Sequence, residues 1–391
     1  MLMLHDSANG ENMDNAVAET KKRRIGVLCG GRSGEHEISL LSARSIIEAL
    51  DREKYEVVVV GISKDGQWRL QTNPESLLKQ SDARTIHLDM TGPRVVLPAD
   101  PDVQGLLVLG EGAMAPTTTI SLDVVFPVLH GPYGEDGTVQ GLLDLAGIAY
   151  VGAGALGSAI GMDKDVMKRL LREAGLPIPK FMVLHHRRWT RNALKCQDAI
   201  WEYFVPPVFV KPANLGSSVG ISKVKDRSEL PRALEAAFLY DTKVLVEEFI
   251  EGRELECSVL GNDEPVASLP GEIVPKHEFY SYEAKYLDDE GARLEIPAQL
   301  PEALTEQVRQ MAIAAYRTLC CEGMGRVDFF LARDGRLLVS EINTIPGFTR
   351  ISMYPKMWEA SGLPFGKMLD RLIELALERH ERRRRLKIEH A

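Results

Sequence analysis

The pattern of polar and apolar positions predicts a β-hairpin near the end of the chain, between Arg326 and Asn343. The segment reads RVDFFLARDGRLLVSEIN, and Asp334-Gly335 is a typical two-residue turn between alternating strands. The predicted cross-strand pairs are Arg333 with Arg336, Phe330 with Val339, Asp328 with Glu341, and Arg326 with Asn343. On the opposite face, five apolar side chains would enter a core: Val327, Phe329, Leu331, Leu338 and Ile342.

The polar face of this hairpin has the composition of a magnesium site. Asp328 and Glu341 would lie directly across the ladder with Cβ atoms roughly 5 Å apart, where two carboxylates repel unless a cation lies between them. Together with Asn343 they form an all-oxygen set, which suits Mg²⁺. The alternative is a solvated face whose like charges are tolerated by water.

Apolar runs that end in glycine-containing polar loops predict an N-terminal α/β domain with a parallel sheet. Ile25 to Cys29 reads as a buried strand, a helical pattern runs from about Leu40 to Leu50, and Glu56 to Ile62 reads as the next strand. Another buried strand, Val124 to Leu129, ends at His130-Gly131. In such a sheet the carboxyl ends of the strands present ligand-binding residues.

The remainder of the chain predicts α+β architecture. Asp163 is the expected N-cap of a helix through Ala174, and further helices are predicted around Pro301 to Leu319 and near Phe365 to Glu378. The predicted divisions are a disordered extension (residues 1–24), the α/β domain (25–151), a central subdomain (152–248), a C-terminal subdomain with the metal site (249–378) and a basic tail (379–391).

Composition narrows the classes of function. The chain has 391 residues, of which 45% are apolar and 26% charged, and its net charge is -9, so a nucleic-acid partner is not expected. We find no apolar signal-peptide stretch and no run that approaches about 18 apolar residues, so we expect a cytoplasmic protein that does not bind membranes. Five cysteines without a C-x-x-C pair indicate reduced thiols.

A candidate phosphate-binding loop follows a predicted strand. Lys211 supplies a cation, and the small residues from there to Gly220 (KPANLGSSVG) allow backbone N–H groups to approach phosphate oxygens. An ordinary hairpin loop is the alternative. Lys164 is a second candidate cation, although an exposed lysine is more often solvated. The carboxylates of Glu247, Glu248 and Glu254 could accept hydrogen bonds from adenine or ribose, with surface charge as the alternative.

Five motifs together resemble the D-alanine–D-alanine ligases of the ATP-grasp superfamily. They are GGRSGEHEIS at 30–39, HGPYGEDG at 130–137, the loop at 211–220, YEAKY at 282–286 and EINTIPG at 341–347. The resemblance covers about Ile25 to Glu378. It implies an N-terminal α/β domain that binds substrate, followed by an ATP-grasp fold whose two α+β subdomains hold ATP between them.

The resemblance implies ATP and Mg²⁺ as cofactors, with two ions expected and Mn²⁺ able to substitute. Asp328, Glu341 and Asn343 match the metal ligands, in agreement with the hairpin. The residues implied for ATP binding are Lys164, Lys211, Ser217, Ser218, Glu247, Glu248, Glu254, Phe279 and Lys285.

For the substrate D-alanine, the resemblance implies a second set of residues. Arg326 and the backbone N–H of Gly347 match the oxyanion donors, although Arg326 could instead form a structural salt bridge to Asp328 or Glu341. Glu35 matches the glutamate that holds the first ammonium group and is linked by hydrogen bonds to Ser217 and Tyr286. Without the family, Glu35 reads equally well as an acid at a helix start.

The remaining substrate contacts follow in the same way. His130 matches a histidine near the first D-alanine, but a histidine after an apolar strand is more often structural. Ser352 and Lys285 match groups near the carboxylate of the second D-alanine. The implied product is D-alanyl-D-alanine for peptidoglycan precursors, made through a D-alanyl phosphate, and a homodimer is usual in the family.

Three alternative functions have distinct signatures. An enzyme of the same superfamily could join D-alanine to D-lactate or D-serine, although Tyr286 resembles the D-alanine-selective members. A non-catalytic nucleotide-binding regulator would lack D-alanine-dependent phosphate release. A nucleic-acid binder would lose salt-sensitive binding when the residues after Glu378 are removed.

Overall fold

The computed structural model describes residues 21–110, 118–217, 219–275 and 292–387. The first sheet has the order β3-β2-β1-β7-β8, in which β1, β2, β7 and β8 run parallel and β3 is antiparallel. Its elements are β1 (Arg23–Gly30), α1 (His36–Ala49), β2 (Tyr55–Ile62), β3 (Trp68–Leu70), α2 (Pro74–Leu78), β7 (Val124–Val128), α3 (Thr138–Leu145) and β8 (Ala149–Tyr150). The predicted parallel sheet is therefore confirmed.

A small antiparallel sheet is inserted between β3 and β7. It has the order β4-β5-β6 and consists of β4 (Val95–Val96), β5 (Gly105–Val108) and β6 (Thr118–Ser121). Leu106 is fully buried and joins the core on one side of the first sheet. The insertion therefore extends that core.

The middle of the chain forms an antiparallel sheet with the order β11-β10-β12-β9. Its elements, with two helices that precede them, are α4 (Ala155–Met162), α5 (Lys164–Glu173), β9 (Phe181–His185), α6 (His186–Arg191), α7 (Ala193–Tyr203), β10 (Val208–Pro212), β11 (Ser222–Val224), a 3-10 turn (Arg227–Glu229), α8 (Leu230–Phe238) and β12 (Lys243–Glu248). The side chain of Asp163 accepts from the N–H groups of Asp165 and Val166, which confirms the predicted N-cap of α5.

The last sheet is also antiparallel, with the order β16-β15-β13-β17-β18 and with β14 paired to β13. Its elements are β13 (Gly252–Gly261), β14 (Val266–Ala267), β15 (Gly271–Pro275), β16 (Ala292–Glu295), α9 (Glu302–Thr318), β17 (Gly323–Ala332), β18 (Leu337–Asn343), α10 (Met353–Ala360) and α11 (Phe365–Arg384). No helix in the described ranges combines the length and apolar character needed to cross a membrane.

Hydrophobic packing crosses the predicted domain boundaries. Met167 and Leu171 of α5 pack in one cluster with Val327 and Phe329 of β17, although α5 precedes the central sheet in the chain. On the first sheet, Phe126 shares a cluster with residues of α11. The boundaries after residues 151 and 248 stay a prediction, because these cores are continuous across them.

The hairpin β17–β18 departs from the predicted register near its turn. Ala332 N–H donates to Arg336 O, and Gly335 has φ of +85°, so the loop has three residues rather than two. Phe330 therefore pairs with Leu338, and the predicted pairs Phe330 with Val339 and Arg333 with Arg336 are wrong. Val339, rather than Leu338, joins the core cluster.

A second irregularity restores the register where the polar residues lie. The pairing shifts between Asp328 and Phe329, which leaves Ser340 as an extra residue in β18. Beyond this bulge Asp328 pairs with Glu341 and Arg326 with Asn343. These two predicted pairs are confirmed because the shift at the turn and the bulge cancel.

Both predicted terminal extensions overlap elements of secondary structure. β1 begins at Arg23, and the N–H of Arg24 donates to Asp123 at 2.6 Å. At the other end α11 continues past Glu378 to Arg384, so the prediction of a basic tail from residue 379 is wrong for this part. Arg379 is buried, donates to Tyr150 O at 2.7 Å and also to Gly152 O, and so ties α11 to the end of β8. Residues 1–20 and 388–391 lie outside the described residues.

Candidate active site

A cleft of about 600 Å³ opens between the three large sheets. The predicted site residues within the described ranges all line it: Glu35, His130, Lys164, Lys211, Ser217, Glu247, Glu248, Glu254, Arg326, Asp328, Glu341, Asn343, Gly347 and Ser352. The other four, Ser218, Phe279, Lys285 and Tyr286, lie outside the described residues. Three distant parts of the chain therefore contribute to one cleft.

The polar face of the hairpin provides the oxygen atoms for a divalent cation. Asp328 and Glu341 are directly paired across β17 and β18. Oδ1 of Asn343 is buried and has no hydrogen-bond partner, which is costly unless a ligand satisfies it. Within the described ranges no three His, Cys, Asp or Glu side chains lie close enough together to bind a metal ion. A third protein ligand beside Asp328 and Glu341 would therefore be the amide oxygen of Asn343. Two carboxylates and an orphaned amide oxygen fit Mg²⁺.

Arg326 forms a salt bridge with Asp328, as the alternative interpretation of this residue predicted. Its Nε and Nη2 each donate to a carboxylate oxygen of Asp328 at 2.7 Å. Its Nε also lies 3.0 Å from Oε2 of Glu256, on the neighbouring strand β13. The guanidinium therefore lies between two carboxylates on the cleft side of the sheet.

Glu256 is a site residue that sequence reasoning missed. It pairs directly with Asp328 across β13 and β17, and it lines the cleft. The signal was present in the alternation of β13, where buried Leu255, Cys257 and Val259 join the core while Glu254 and Glu256 face the cleft.

The two candidate phosphate-binding lysines are both buried and partnered. Nζ of Lys164 donates to Leu215 O at 2.7 Å and lies 3.4 Å from Oε2 of Glu341. Nζ of Lys211 donates to Oε1 of Glu247 at 2.7 Å. Although burial disfavours its charged form, Glu247 and other carboxylates raise the pKa of Lys211 above its ordinary value. Lys211 is therefore a fixed positive charge in the cleft.

Glu247 is buried between lysine side chains. Its side chain is 2% exposed and lies between Lys211 and a third lysine, Lys168 of α5. Burial alone would raise the pKa of Glu247, but the two lysines outweigh burial and hold it below its ordinary value. The more exposed Glu248 accepts from the N–H of Lys180 at 2.7 Å.

Glu35 and Ser217 make the predicted contact across the cleft. The hydroxyl of Ser217 donates to Oε1 of Glu35, which lies immediately before α1. Ser217 has φ of +51°, a left-handed conformation that a serine adopts at a cost. The side chain of Glu35 does not cap α1, so its carboxylate is directed to the cleft and not to the helix N–H groups.

His130 acts as a link between loops. Its Nδ1 lies 3.0 Å from Ile345 O, and because a carbonyl only accepts, Nδ1 carries the proton. Its Nε2 then accepts from Ser42 Oγ, 3.3 Å away, and this hydroxyl accepts from Phe348 N–H. Burial lowers the pKa of His130, which favours this neutral form. His130 therefore has the structural role that was the alternative to substrate binding, and it also lines the cleft.

Glu135 holds the same loop and was also missed as a site residue. Its carboxyl accepts from the N–H of Gly131 at 2.7 Å and of Ile345 at 3.3 Å. Burial, together with the charge of Glu35, raises the pKa of Glu135 to about 8. Glu135 lies in the HGPYGEDG motif. The sequence does not show its contact with Ile345, which lies far along the chain.

Gly347 and Ser352 lie close together at the end of this loop. A Cβ atom on Gly347 would come within 2.8 Å of Ser352 Oγ. That hydroxyl accepts from Thr349 N–H at 3.0 Å. The position of Ser352 therefore favours glycine at 347.

Comparison with known proteins identifies the family. The D-ala D-ala ligase N-terminus matches residues 24–153, and the D-ala D-ala ligase C-terminus matches residues 170–374. The chain belongs to the D-alanine–D-alanine ligase family. A D-alanine–D-alanine ligase A from Bradyrhizobium diazoefficiens is 51% identical over 93% of this chain and 98% of that protein.

Solved structures show the same ATP-grasp fold. The D-alanine-D-alanine ligase from Coxiella burnetii matches with a TM-score of 0.78 and 42% identity, over 93% of this chain and 96% of that one. A D-Ala:D-Ser ligase from Enterococcus faecalis matches with a TM-score of 0.80 and 36% identity, over 91% of this chain and all of that one. The fold is thus shared between ligases with different second substrates.

Proposed function

We propose that this chain is an ATP-dependent D-alanine–D-alanine ligase that supplies the dipeptide for peptidoglycan precursors. The observation that carries the proposal is one cleft, in which the Glu35–Ser217 contact lies with the Asp328–Glu341 pair and the lysines Lys164 and Lys211. Family membership and 51% identity to a D-alanine–D-alanine ligase A support the same reaction.

The reaction would proceed in two steps. The carboxylate of the first D-alanine attacks the γ-phosphorus of ATP, which forms D-alanyl phosphate and releases ADP. The amine of the second D-alanine then attacks the acyl carbon, a C–N bond forms, and phosphate leaves with one former carboxylate oxygen. Lys164 and Lys211 would offset phosphate charge in the first step. Arg326 and the N–H of Gly347 would stabilise the oxyanion in the second.

Substrate positioning falls to the other side of the cleft. Glu35 would hold the ammonium of the first D-alanine, and Ser217 would fix the orientation of Glu35. Ser352 would lie near the carboxylate of the second D-alanine. Asp328, Glu341 and Asn343 would hold Mg²⁺, which when bound would offset charge on the phosphate oxygens of ATP.

Several finer points are proposals on the strength of the family resemblance. They are the binding of two metal ions, the substitution of Mn²⁺ for Mg²⁺, the homodimer and the cytoplasmic location. The roles of Ser218, Phe279, Lys285 and Tyr286 are proposals of the same kind. Titration of activity with each metal and sedimentation of the protein would test the ions and the homodimer.

Joining D-alanine to D-serine is the second candidate, because the E. faecalis D-Ala:D-Ser ligase has the same fold. The deciding experiment offers ATP, Mg²⁺ and D-alanine with equal D-serine or D-lactate near neutral pH and separates the products by chromatography. We expect D-alanyl-D-alanine as the main product. A mixed product in excess would overturn the specificity, and absence of D-alanine-dependent phosphate release would overturn the function.

A further inference from the structure

We propose that Lys168 is a positioning residue that holds both the phosphate-binding Lys211 and the metal-binding end of the hairpin in place. The proposal rests on the function proposed above and deepens it. Lys168 lies on α5, one helical turn after Lys164, and is fully buried. It does not line the cleft, so it would act through its neighbours.

The ammonium group of Lys168 joins two parts of the site. It makes an ion pair with Oε2 of Glu247 on β12 at 2.8 Å. It also donates a hydrogen bond to Ser340 O on β18 at 3.1 Å. One side chain therefore connects the central sheet to the C-terminal sheet, directly behind the cleft.

The first of these contacts controls Lys211. Each oxygen of Glu247 is used by a different lysine: Oε1 by Lys211 and Oε2 by Lys168. Without Lys168, Lys211, already 2.7 Å from Glu247, would be the single counter-ion of this buried carboxylate, which would then neutralise the charge of Lys211 more completely. Lys211 would then offer less positive charge to the ATP phosphates. Lys168 thus leaves the charge of Lys211 only partly neutralised.

The second contact controls the bulge that makes the metal site. Ser340 is the extra residue of β18 that brings Glu341 opposite Asp328. Its carbonyl is held by Lys168, and the preceding N–H, of Val339, donates to Pro177 O at 2.8 Å. Both contacts come from α5 and the segment after it. Loss of the contact from Lys168 would allow the register to slip by one residue, which moves Glu341 to the other face.

Stability alone does not account for a charged group at this position. A buried lysine is expensive to desolvate, and an apolar residue of similar length would fill the same space at lower cost. Lys168 is on the same face of α5 as Lys164, four residues earlier, which contacts Glu341 itself. The helix therefore holds the metal-binding carboxylate directly through Lys164 and the adjacent bulge through Lys168.

The test compares Lys168→Met with Lys243→Met. Lys243 also forms a lysine–carboxylate pair, with the N-cap residue of α5, Asp163, at 2.6 Å, but it is not in the cleft. For Lys168→Met we expect the ATP KM and the Mg²⁺ concentration for half-maximal rate each to rise about 10- to 100-fold, the usual effect of losing a group that orients a ligand. Lys243→Met should leave both within twofold. Equal values for the two variants would overturn the proposal.

A double variant covers the case in which Lys168→Met does not fold. Lys168→Met with Glu247→Gln removes both charges, so no carboxylate is left buried with one counter-ion. We expect this variant to melt at a higher temperature than Lys168→Met and to retain the raised Mg²⁺ requirement, because Ser340 O stays without its donor. A wild-type Mg²⁺ requirement would overturn the proposal.

Failure of the proposed function would be visible separately. Calorimetric titration with ATP and Mg²⁺ measures binding without turnover, so the variants can be compared even if the wild type makes no dipeptide. Unchanged ATP and Mg²⁺ affinities in Lys168→Met would then count against Lys168 alone.

Discussion

Glu256→Gln should slow turnover while leaving the affinity for ATP intact. In the structure Arg326 is held by two carboxylates, with both oxygens of Asp328 at 2.7 Å and Glu256 at 3.0 Å. Asp328 is also a proposed metal ligand. When its oxygens turn to the cation, Glu256 is left to orient the guanidinium that would meet the oxyanion.

The magnitude follows from what Glu256 provides. Its side chain is 7% exposed and that of Arg326 is 18% exposed, so solvent screens the pair little. Loss of an entire oxyanion donor costs about 10²- to 10³-fold in kcat. Glutamine keeps an acceptor but removes the charge, so we expect kcat to fall about 10- to 100-fold.

Glu272→Gln provides a matched control on the same sheet. Glu272 pairs with Arg253 at 2.5 Å, its side chain is 8% exposed, and neither residue lines the cleft. The assay measures kcat and ATP KM at saturating D-alanine and Mg²⁺, with urea unfolding of both variants. The reasoning would be refuted if Glu256→Gln lost no more activity than Glu272→Gln at a similar free energy of unfolding.

Two further variants test the metal site and the loop at Ile345. Glu341→Gln removes one charge from the proposed Mg²⁺ site, so kcat should fall about 10²- to 10³-fold without unfolding, and near-normal turnover by a folded variant would count against the assignment. Glu135, whose pKa is raised to about 8, stabilises the fold below about pH 4.5, and this contribution is lost as the pH rises through 8. The wild type should therefore lose on the order of 2 kcal/mol more unfolding free energy between pH 6 and pH 9 than Glu135→Gln. Equal losses in urea titrations would contradict this.

The sequence predicted the polar pairs of the hairpin because strand alternation and the Asp334-Gly335 turn both favour them. The predicted two-residue turn was wrong, because the turn has three residues and shifts the strand pairing by one position. The bulge at Ser340 cancels that shift. A bulge of this kind depends on groups from elsewhere in the chain, here Lys168 and Pro177. Pairwise patterns within one hairpin do not contain that information.

Buried charged residues were the hardest to predict. Lysine and arginine are solvated in most positions, so Lys168 reads as the polar side of a helix and Arg379 as part of a basic tail. Lys168 is buried because Glu247 and Ser340 meet it from two sheets. Arg379 is buried because α11 continues over the end of β8. Both outcomes depend on long-range packing.

The most direct test of the account follows oxygen from substrate to phosphate. The protein is incubated with ATP, Mg²⁺ and D-alanine labelled with ¹⁸O in its carboxylate, and the released phosphate is analysed by mass spectrometry. If the carboxylate is activated by phosphorylation, each D-alanyl-D-alanine formed is accompanied by one ADP and one phosphate that carries a single ¹⁸O atom. Dipeptide formed with unlabelled phosphate, or with AMP in place of ADP, would contradict the account.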